Sequence, residues 1–510
     1  MPITLPPLVE LLPWIYALAL FPTSLLQTRE RCWLLARSAG YLGLSLVLAA
    51  WLQAAFDEQN NDRLGLAMAG LVSLLAFVII DYSRRYLEGE PEQRRYVLAL
   101  LSTLAAVATV VISTDLLLLI GAWSFSSLCL YQLLTFYRDR PQALVVANKK
   151  FLASRLADIC LLLCTGLLVH AGGDSTIAVI LEDVNNRLQV NGQLGWDLQL
   201  AALLLALAVI FKSAQLPVHG WLIQVMEAPT PVSALLHAGL VNLGGFVLLR
   251  FAPLFSAAVP AQSLLVLVGG LTAVVAALVM MTRISIKVRL AWSTCAQMGM
   301  MLLECGQGLY ELALVHLLAH SLYKAHAFLA AGETVATARL HALQAAMPLP
   351  RLTDLLCALL LASLALALAL LQGVWTWQLP AHQLPLMALA ILAIGLAPWC
   401  LRRGQVLQRL SMFALLLAAY MLWHQAATWI LAPPPTEAPL LLQGLALLLF
   451  VGLYMAQALI LARPQGALAQ RLYPSAFAGF YLDEYFTRLT FRLWPARSSQ
   501  RLTSTTGDRP

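Results

Sequence analysis

Apolar runs long enough to cross a lipid bilayer recur from one end of this 510-residue sequence to the other. A hydrocarbon core of about 30 Å takes roughly 20 helical residues to span, and inside it every backbone N–H and C=O must be paired within the protein. The chain is therefore expected to fold as an all-α, polytopic transmembrane helical bundle. Reading runs against breakers gives about 15 spans, at 8–26, 38–55, 64–81, 97–112, 115–136, 152–171, 199–224, 231–254, 262–281, 290–307, 310–331, 355–372, 384–400, 407–430 and 437–462. Only 11% of the residues are charged, against roughly a quarter in a soluble domain, which excludes a water-soluble fold. The first run has neither a basic flank before it nor a small-residue cleavage site after it, so it is expected to be the first span rather than a cleaved leader.

The formal charge of +7 lies in short tracts between the runs rather than in one patch, so nucleic acid is not expected as a partner. Membrane topology explains the tracts better. With the N-terminus outside, one set of loops collects Arg29, Arg31 and Arg37, then Arg84, Arg85, Arg94 and Arg95, then Arg138, Arg140, Lys149 and Lys150, then Arg283, Lys287 and Arg289, and finally Arg402, Arg403 and Arg409. The opposite loops hold little beyond Arg63, Arg187 and Arg250. Because cationic loops favour the cytoplasmic side, the expectation is a multi-pass protein of the bacterial inner membrane with a periplasmic N-terminus and a cytoplasmic C-terminus. Three regions follow: a transmembrane cation-conducting domain over 1–465, an aromatic, mixed-charge tail over 466–495 that suits an interface or a partner, and a polar, disordered end over 496–510. The eight cysteines form no CxxC and fall mostly inside apolar runs, as small core residues do.

Two runs look interrupted. Pro217 lies within the seventh, and the eighth is preceded by Pro229 and Pro231 and contains Gly239 and the pair Gly244-Gly245. Proline removes a backbone hydrogen bond, and in membranes such helix breaks persist where they line a cavity or pack against protein.

Ionisable residues inside spans are costly and mark ion paths. Lys212 stands in the seventh run, followed by Ser213, Gln215, Pro217 and His219. His237 falls in the middle of the eighth run, where an imidazole can both accept and donate a proton; taken alone, a histidine bonded to a neighbouring carbonyl is an equal alternative. His316, His320 and Lys324 recur every four residues, so they stack on one helical face with steps of about 6 Å, the spacing of a proton wire. The same two histidines offer no third ligand and no HExxH, and a lysine continues their face, so no metal site is expected. His326 lies off the stripe and reads as structural. Arg155 and Asp158 open the sixth run, and Glu227 sits between the two interrupted ones. Asp158 and Glu227 are candidates to tune Lys212 by charge proximity; plain interfacial anchoring is the alternative.

The stretch from Phe211-Lys212-Ser213 through Gln215, Pro217 and His219 to Trp221-Leu222, followed by Ala228-Pro229-Thr230-Pro231 and on to His237-Ala238, closely resembles the antiporter-like membrane subunits of respiratory complex I and Mrp-type cation antiporters. Arg289-Leu290-Ala291-Trp292-Ser293-Thr294, Gln297-Met298-Gly299 and the His316 to Lys324 segment extend the resemblance over residues 110–335. It implies a proton-conducting fold of two inverted repeats with broken helices and a channel lysine at Lys212. The chain departs from that family in two places. Trp123 is followed by Ser124 where the family has a glutamate, and the runs from Leu355 to Leu461 contain no lysine.

Within that family, Tyr82-Ser83-Arg84-Arg85-Tyr86-Leu87-Glu88-Gly89, Asp139-Arg140-Pro141 ahead of Lys149-Lys150-Phe151, and the glutamate-less fifth run resemble the DabB group, the membrane subunits of DAB-type inorganic carbon complexes. This implies a transporter subunit rather than an enzyme, conducting H⁺ or Na⁺ and holding no cofactor of its own. The implied partner is a large soluble zinc β-carbonic-anhydrase-like subunit of the DabA type on the cytoplasmic face, which hydrates carbon dioxide to bicarbonate. Two other readings stay open at this point: an antiporter-like subunit of a respiratory NADH:quinone oxidoreductase or Mrp-type antiporter, and a membrane scaffold that conducts nothing.

Overall fold

The structure, a computed structural model, describes residues 7–494 apart from 27, 57–61, 335–338, 340–349, 378–385, 401–405 and 432–437. The expected disordered end at 496–510 and the loop carrying Arg402 and Arg403 lie outside the described residues. In chain order the α-helices are α1 (Leu12–Leu25), α2 (Arg29–Phe56), α3 (Arg63–Tyr86), α4 (Gln93–Ile112), α5 (Leu116–Leu134), α6 (Pro141–Gly172), α7 (Ile177–Asn191), α8 (Trp196–Lys212), α9 (Gly220–Ile223), α10 (Thr230–Ala238), α11 (Leu243–Arg250), α12 (Ala252–Ser256), α13 (Val259–Met280), α14 (Ile286–Gly306) and α15 (Tyr310–Leu329). They continue with α16 (Leu352–Trp377), α17 (Leu386–Cys400), α18 (Val406–Ile430), α19 (Leu440–Ala462), α20 (Ala467–Phe477) and α21 (Glu484–Leu493). Among the described residues there is no strand, only an isolated bridge between Asp115 and Thr176.

Each expected run falls on a helix or a pair of half-helices, and nine of the described helices are long and apolar enough to cross a membrane. The helices outside that set include α8, which ends at a break, and α14 and α15, which carry ionisable residues. A count of 15 therefore depends on including broken and charged helices as spans. Large apolar side chains such as Leu18, Phe21, Leu52 and Leu360 point outward and are exposed, as a lipid-facing belt requires.

The seventh run breaks where proline predicts: α8 stops at Lys212, the chain passes through a turn with Ala214 at a φ of 55° and a cis Leu216–Pro217 peptide, and helix resumes at Gly220. The eighth run differs from expectation. Pro229 precedes Thr230, and Pro231 occupies the first turn of α10, where a missing N–H costs nothing. These prolines start a helix rather than break one. The interruption falls on Gly239, where a Cβ would sit 2.8 Å from the Leu235 carbonyl oxygen, so a larger residue has no room. At the end of α11, Arg250 donates to Asp62 Oδ2 at 2.5 Å and to the Val111 carbonyl at 3.1 Å, closing the end of α4 against the Asp62 cap of α3.

The core is one continuous apolar cluster running from Leu12 to Phe486. The C-terminal helices pack beside it around Ala362, Ala397 and Tyr454, with Tyr454 donating to the Leu355 carbonyl at 2.7 Å. Gln307 ties α14 to this set by donating to the Leu442 carbonyl at 2.8 Å.

Candidate functional site

Helix α8 is apolar from Leu200 to Phe211 and ends on a cation. Unpaired carbonyls at a helix C-terminus carry partial negative charge, so Lys212 sits where the backbone itself favours an ammonium. Its side chain is 3% exposed. The Nζ lies 3.0 Å from Asp158 Oδ1 and 4.8 Å over the Trp123 ring. Asp158 shares its other oxygen with Arg155 at 2.8 Å. The break around the lysine is braced by polar contacts: Ser213 Oγ donates to the Val209 carbonyl at 2.6 Å, and the Leu216 N–H donates to Thr272 Oγ1 at 3.2 Å.

A second lysine joins this set. Lys150, on α6, is buried, donates to Ser154 Oγ at 2.9 Å and lies 4.4 Å over the Trp221 ring. Lys150 and Lys212 face one small void of about 10 Å³, which Ser126 and Ser127 also line; that is roughly the volume one water needs. Two cationic side chains thus share one carboxylate, with a third lysine on the same void, so adding or removing a single proton alters the whole set.

The second group lies on α10, α14 and α15. His237 Nδ1 is 3.0 Å from Thr294 Oγ1, and its ring stacks on Phe328 at 4.4 Å. Thr294 Oγ1 donates at 3.1 Å to the Leu290 carbonyl, which also accepts from Lys324 Nζ at 3.1 Å. Along the same face of α15 the His316 and His320 rings are 6.1 Å apart, the step their spacing predicts. His316 then holds Glu304 Oε2 at 2.9 Å through Nδ1 and Gln297 Oε1 at 2.6 Å through Nε2. This end borders a cavity of about 570 Å³ between α14, α15 and the C-terminal helices, lined otherwise mostly by apolar residues such as Met300, Ile391 and Phe450, with Gln457 among them.

The structure thus brings Lys212, Asp158 and Arg155 together, and separately His237 with Lys324 and His316 with His320. No hydrogen bond or ion pair joins the first group to the second; Leu236, Leu240 and Leu243 of the broken helix form the wall of the void on the side that carries His237. Glu227 is not near Lys212: it pairs with Arg140 at 3.3 Å, half exposed, because the Pro229 start of α10 leaves it in the connecting turn. His326 is exposed. Lys149 and Lys150, read from sequence as loop cations, are both buried, since α6 begins at Pro141 rather than near residue 152. A proline in a helix's first turn was the signal for that earlier start. Sequence reasoning also passed over Glu304, although a carboxylate inside an apolar run is itself a signal. Among the described residues no three His, Cys, Asp or Glu side chains converge as metal ligands would.

The pair of His316 and Glu304 gives a direct test of packing. Removing one partner of a buried hydrogen-bonded pair leaves the other unsatisfied, at a cost of about 1–3 kcal/mol. His316→Ala is expected to lower the melting temperature of the detergent-solubilised protein, and adding Glu304→Gln to recover most of the loss; two additive losses would show that the residues do not support each other.

The family model described as "NADH:quinone oxidoreductase/Mrp antiporter, TM" matches residues 113–394. The "Probable inorganic carbon transporter subunit DabB" of Hydrogenovibrio crunogenus is 40% identical over 494 residues, 94% of this chain and 93% of that one. The chain belongs to the DabB family. A second DabB-family relative, the "Probable inorganic carbon transporter subunit DabB2" of Halothiobacillus neapolitanus, is 38% identical over 87% of this chain and 81% of its own length. The match to the chloroplastic NAD(P)H-quinone oxidoreductase subunit 5 of Nephroselmis olivacea, at 34% identity, covers 54% of this chain and 42% of that protein. Among solved structures, the archaeal membrane-bound sulfane sulfur reductase aligns with a TM-score of 0.61 at 16% identity, over 96% of this chain and 97% of that one. The Mrp complex from Dietzia aligns with a TM-score of 0.58 at 23% identity, over 94% of this chain and 60% of that one. These two show that the DabB-family chain has the antiporter-like fold. It is a multi-pass membrane protein, and its family is one of transporter subunits.

Proposed function

We propose that this DabB-family chain conducts H⁺ or Na⁺ across the bacterial inner membrane, with its N-terminus periplasmic and its C-terminus cytoplasmic, and that the flow drives carbon dioxide hydration and bicarbonate accumulation by a large soluble zinc β-carbonic-anhydrase-like partner on the cytoplasmic face. The observation that carries the reading is the desolvated set at the α8 break, where Lys212 and Arg155 share the single carboxylate of Asp158. A pair of this kind is dispensable for stability, since apolar side chains of like volume often do as well, but it is what an ion relay needs. Beyond the leucine wall of the void, His237, Lys324, His320 and His316 form a second stage of the path, which the ion reaches only when water bridges that wall. Each charge that crosses yields about 2.3 kcal/mol per 100 mV, enough to bias a hydration equilibrium when coupling is tight. The partner surface is drawn from the basic loop of Arg84 to Arg95, from Arg138 and Arg140, and from the outward aromatic face of the tail, where Tyr481 and Tyr485 are exposed.

The test is growth in ambient air of a bacterium lacking carbonic anhydrase, supplied with this chain and the soluble protein encoded beside it. Rescue is expected to need both proteins and to collapse with a protonophore or, for Na⁺, with sodium depletion. Absence of rescue while both proteins are present at the membrane would replace the reading with that of a respiratory or Mrp-type antiporter subunit.

A further inference from the structure

The C-terminal tail does not hang free. Helices α20 and α21 are joined by a tight turn in which Gly479, Phe480 and Tyr481 take φ of 65°, 54° and 58°. The turn passes under Trp292, and Arg283 donates to the Ala476 carbonyl at 3.3 Å. Phe486 and Thr490 are buried, and Trp494 meets Phe151 of α6 edge-on at 6.1 Å. So anchored, the tail delivers Asp483 into the bundle. Asp483 Oδ2 accepts from Lys149 Nζ at 2.7 Å, from Gln224 Nε2 at 3.0 Å and from Thr487 Oγ1 at 3.1 Å, while Oδ1 is buried with no hydrogen-bond partner. Gly220 makes room for it: a Cβ there would overlap the carboxylate.

Two features distinguish this pair from a surface latch such as that of Glu484 with Arg488, whose side chains are 49% and 72% exposed. Lys149 is 0% exposed and Asp483 22%, so the carboxylate stands at the boundary, with the amine behind it. In front lies a cavity of about 500 Å³ lined by Asp483, His219, Gln224, Arg283 and Arg488. Behind, Lys149 is followed on α6 by Lys150, about 100° round the helix, which faces the void shared with Lys212. Asp483, Lys149, Lys150, Lys212 and Asp158 therefore form a series that leads from a cavity with polar groups on a largely apolar lining inward to the helix break.

We propose that the tail completes the cytoplasmic half of the ion path, with Asp483 as its outermost exchanging group, loading Lys149 from the cavity and through it the set around Lys212. This rests on the conduction reading above. The tail, last in sequence, is on this view part of the conductor as well as a surface for a partner.

The experiment follows proton uptake with a pH-sensitive dye in membrane vesicles holding this chain and its soluble partner. Asp483→Asn is expected to lower uptake about tenfold or more, as loss of a positioned proton-transfer group does. Asp483→Glu is expected to retain uptake with a displaced pH profile. The double change Lys149→Met with Asp483→Leu fills the same space without charge and is expected to stay as low as Asp483→Asn. Recovery of the double variant to within about twofold of the unaltered protein, the scale of a neutral change, or an unmoved pH profile for Asp483→Glu, would reduce the pair to a structural latch and overturn the proposal. Lys212→Ala separates the two levels. Uptake that survives Lys212→Ala sinks the conduction reading itself; uptake lost with Lys212→Ala but kept by Asp483→Asn sinks only the role of the tail.

Discussion

Lys212→Ala is expected to abolish growth in ambient air while leaving growth at raised carbon dioxide, and the amount of protein in the membrane, unchanged. The size of the effect follows from what the residue touches. Its ammonium, on the last residue before the helix break, lies 3.0 Å from Asp158, and no water-exposed cation can take its place because the side chain is almost wholly buried. Losing a positioned proton carrier costs about 10²-fold or more in transfer rate. The folding cost is smaller than for most buried pairs, because Arg155 still holds Asp158 at 2.8 Å once the lysine is gone. Function and stability are thus expected to separate. Lys212→Arg is expected to fail as fully as alanine for H⁺, since a guanidinium keeps its charge and does not release a proton at cellular pH. Asp158→Asn is expected to match it by leaving Lys212 and Arg155 facing each other without a carboxylate. A variant lacking Lys212 that still supports growth in air would leave the scaffold reading standing.

How far the sequence carried this site depends on distance along the chain. Lys212, His237 and the His316 to Lys324 stripe are legible because an ionisable residue inside an apolar run has few other reasons to be there. Asp158 is legible for the same reason, and the structure sets it against Lys212 from α6, where the wider family's glutamate would have come from the fifth span at Ser124. Glu227 was misplaced because proximity in sequence to a helix break says nothing about which way a turn faces; Pro229 and Pro231 start α10 and leave Glu227 beside Arg140. Asp483 was out of reach altogether. It lies 334 residues from Lys149, in a tail where aromatic and charged residues alternate in a manner equally suited to solvent, lipid or a partner.

Gly299→Val is expected to remove the chain from the membrane under every growth condition, the largest stability effect of any single change considered for this fold. Helices α13 and α14 cross with their backbones in contact: a Cβ on Gly299 would lie 2.5 Å from the Gly269 carbonyl oxygen and 2.7 Å from the Ala273 nitrogen, and one on Gly269 would lie 2.6 Å from the Gly299 oxygen. Farther along the same seam a Cβ on Gly306 would lie 2.9 Å from the Gln262 oxygen. The opposing atoms are backbone and cannot rotate away, so the helices must separate. Inserting bulk into a packed core ordinarily costs about 1–3 kcal/mol, and a clash with backbone on both sides exceeds that. Apolar surface freed at such a seam loses nothing by facing lipid, so close packing through small residues is what holds it. Separation would also reach the site, because α14 carries Leu290, Thr294, Gln297 and Glu304, the groups that hold Lys324, His237 and His316. Gly121→Val on α5, where an added Cβ meets nothing within 4 Å, is the control and is expected to accumulate normally. Fluorescence-detected size exclusion of tagged variants decides the matter: a monodisperse Gly299→Val peak at the height of Gly121→Val would show that the two helices are not in the contact described, and that the residues they position are held by something else.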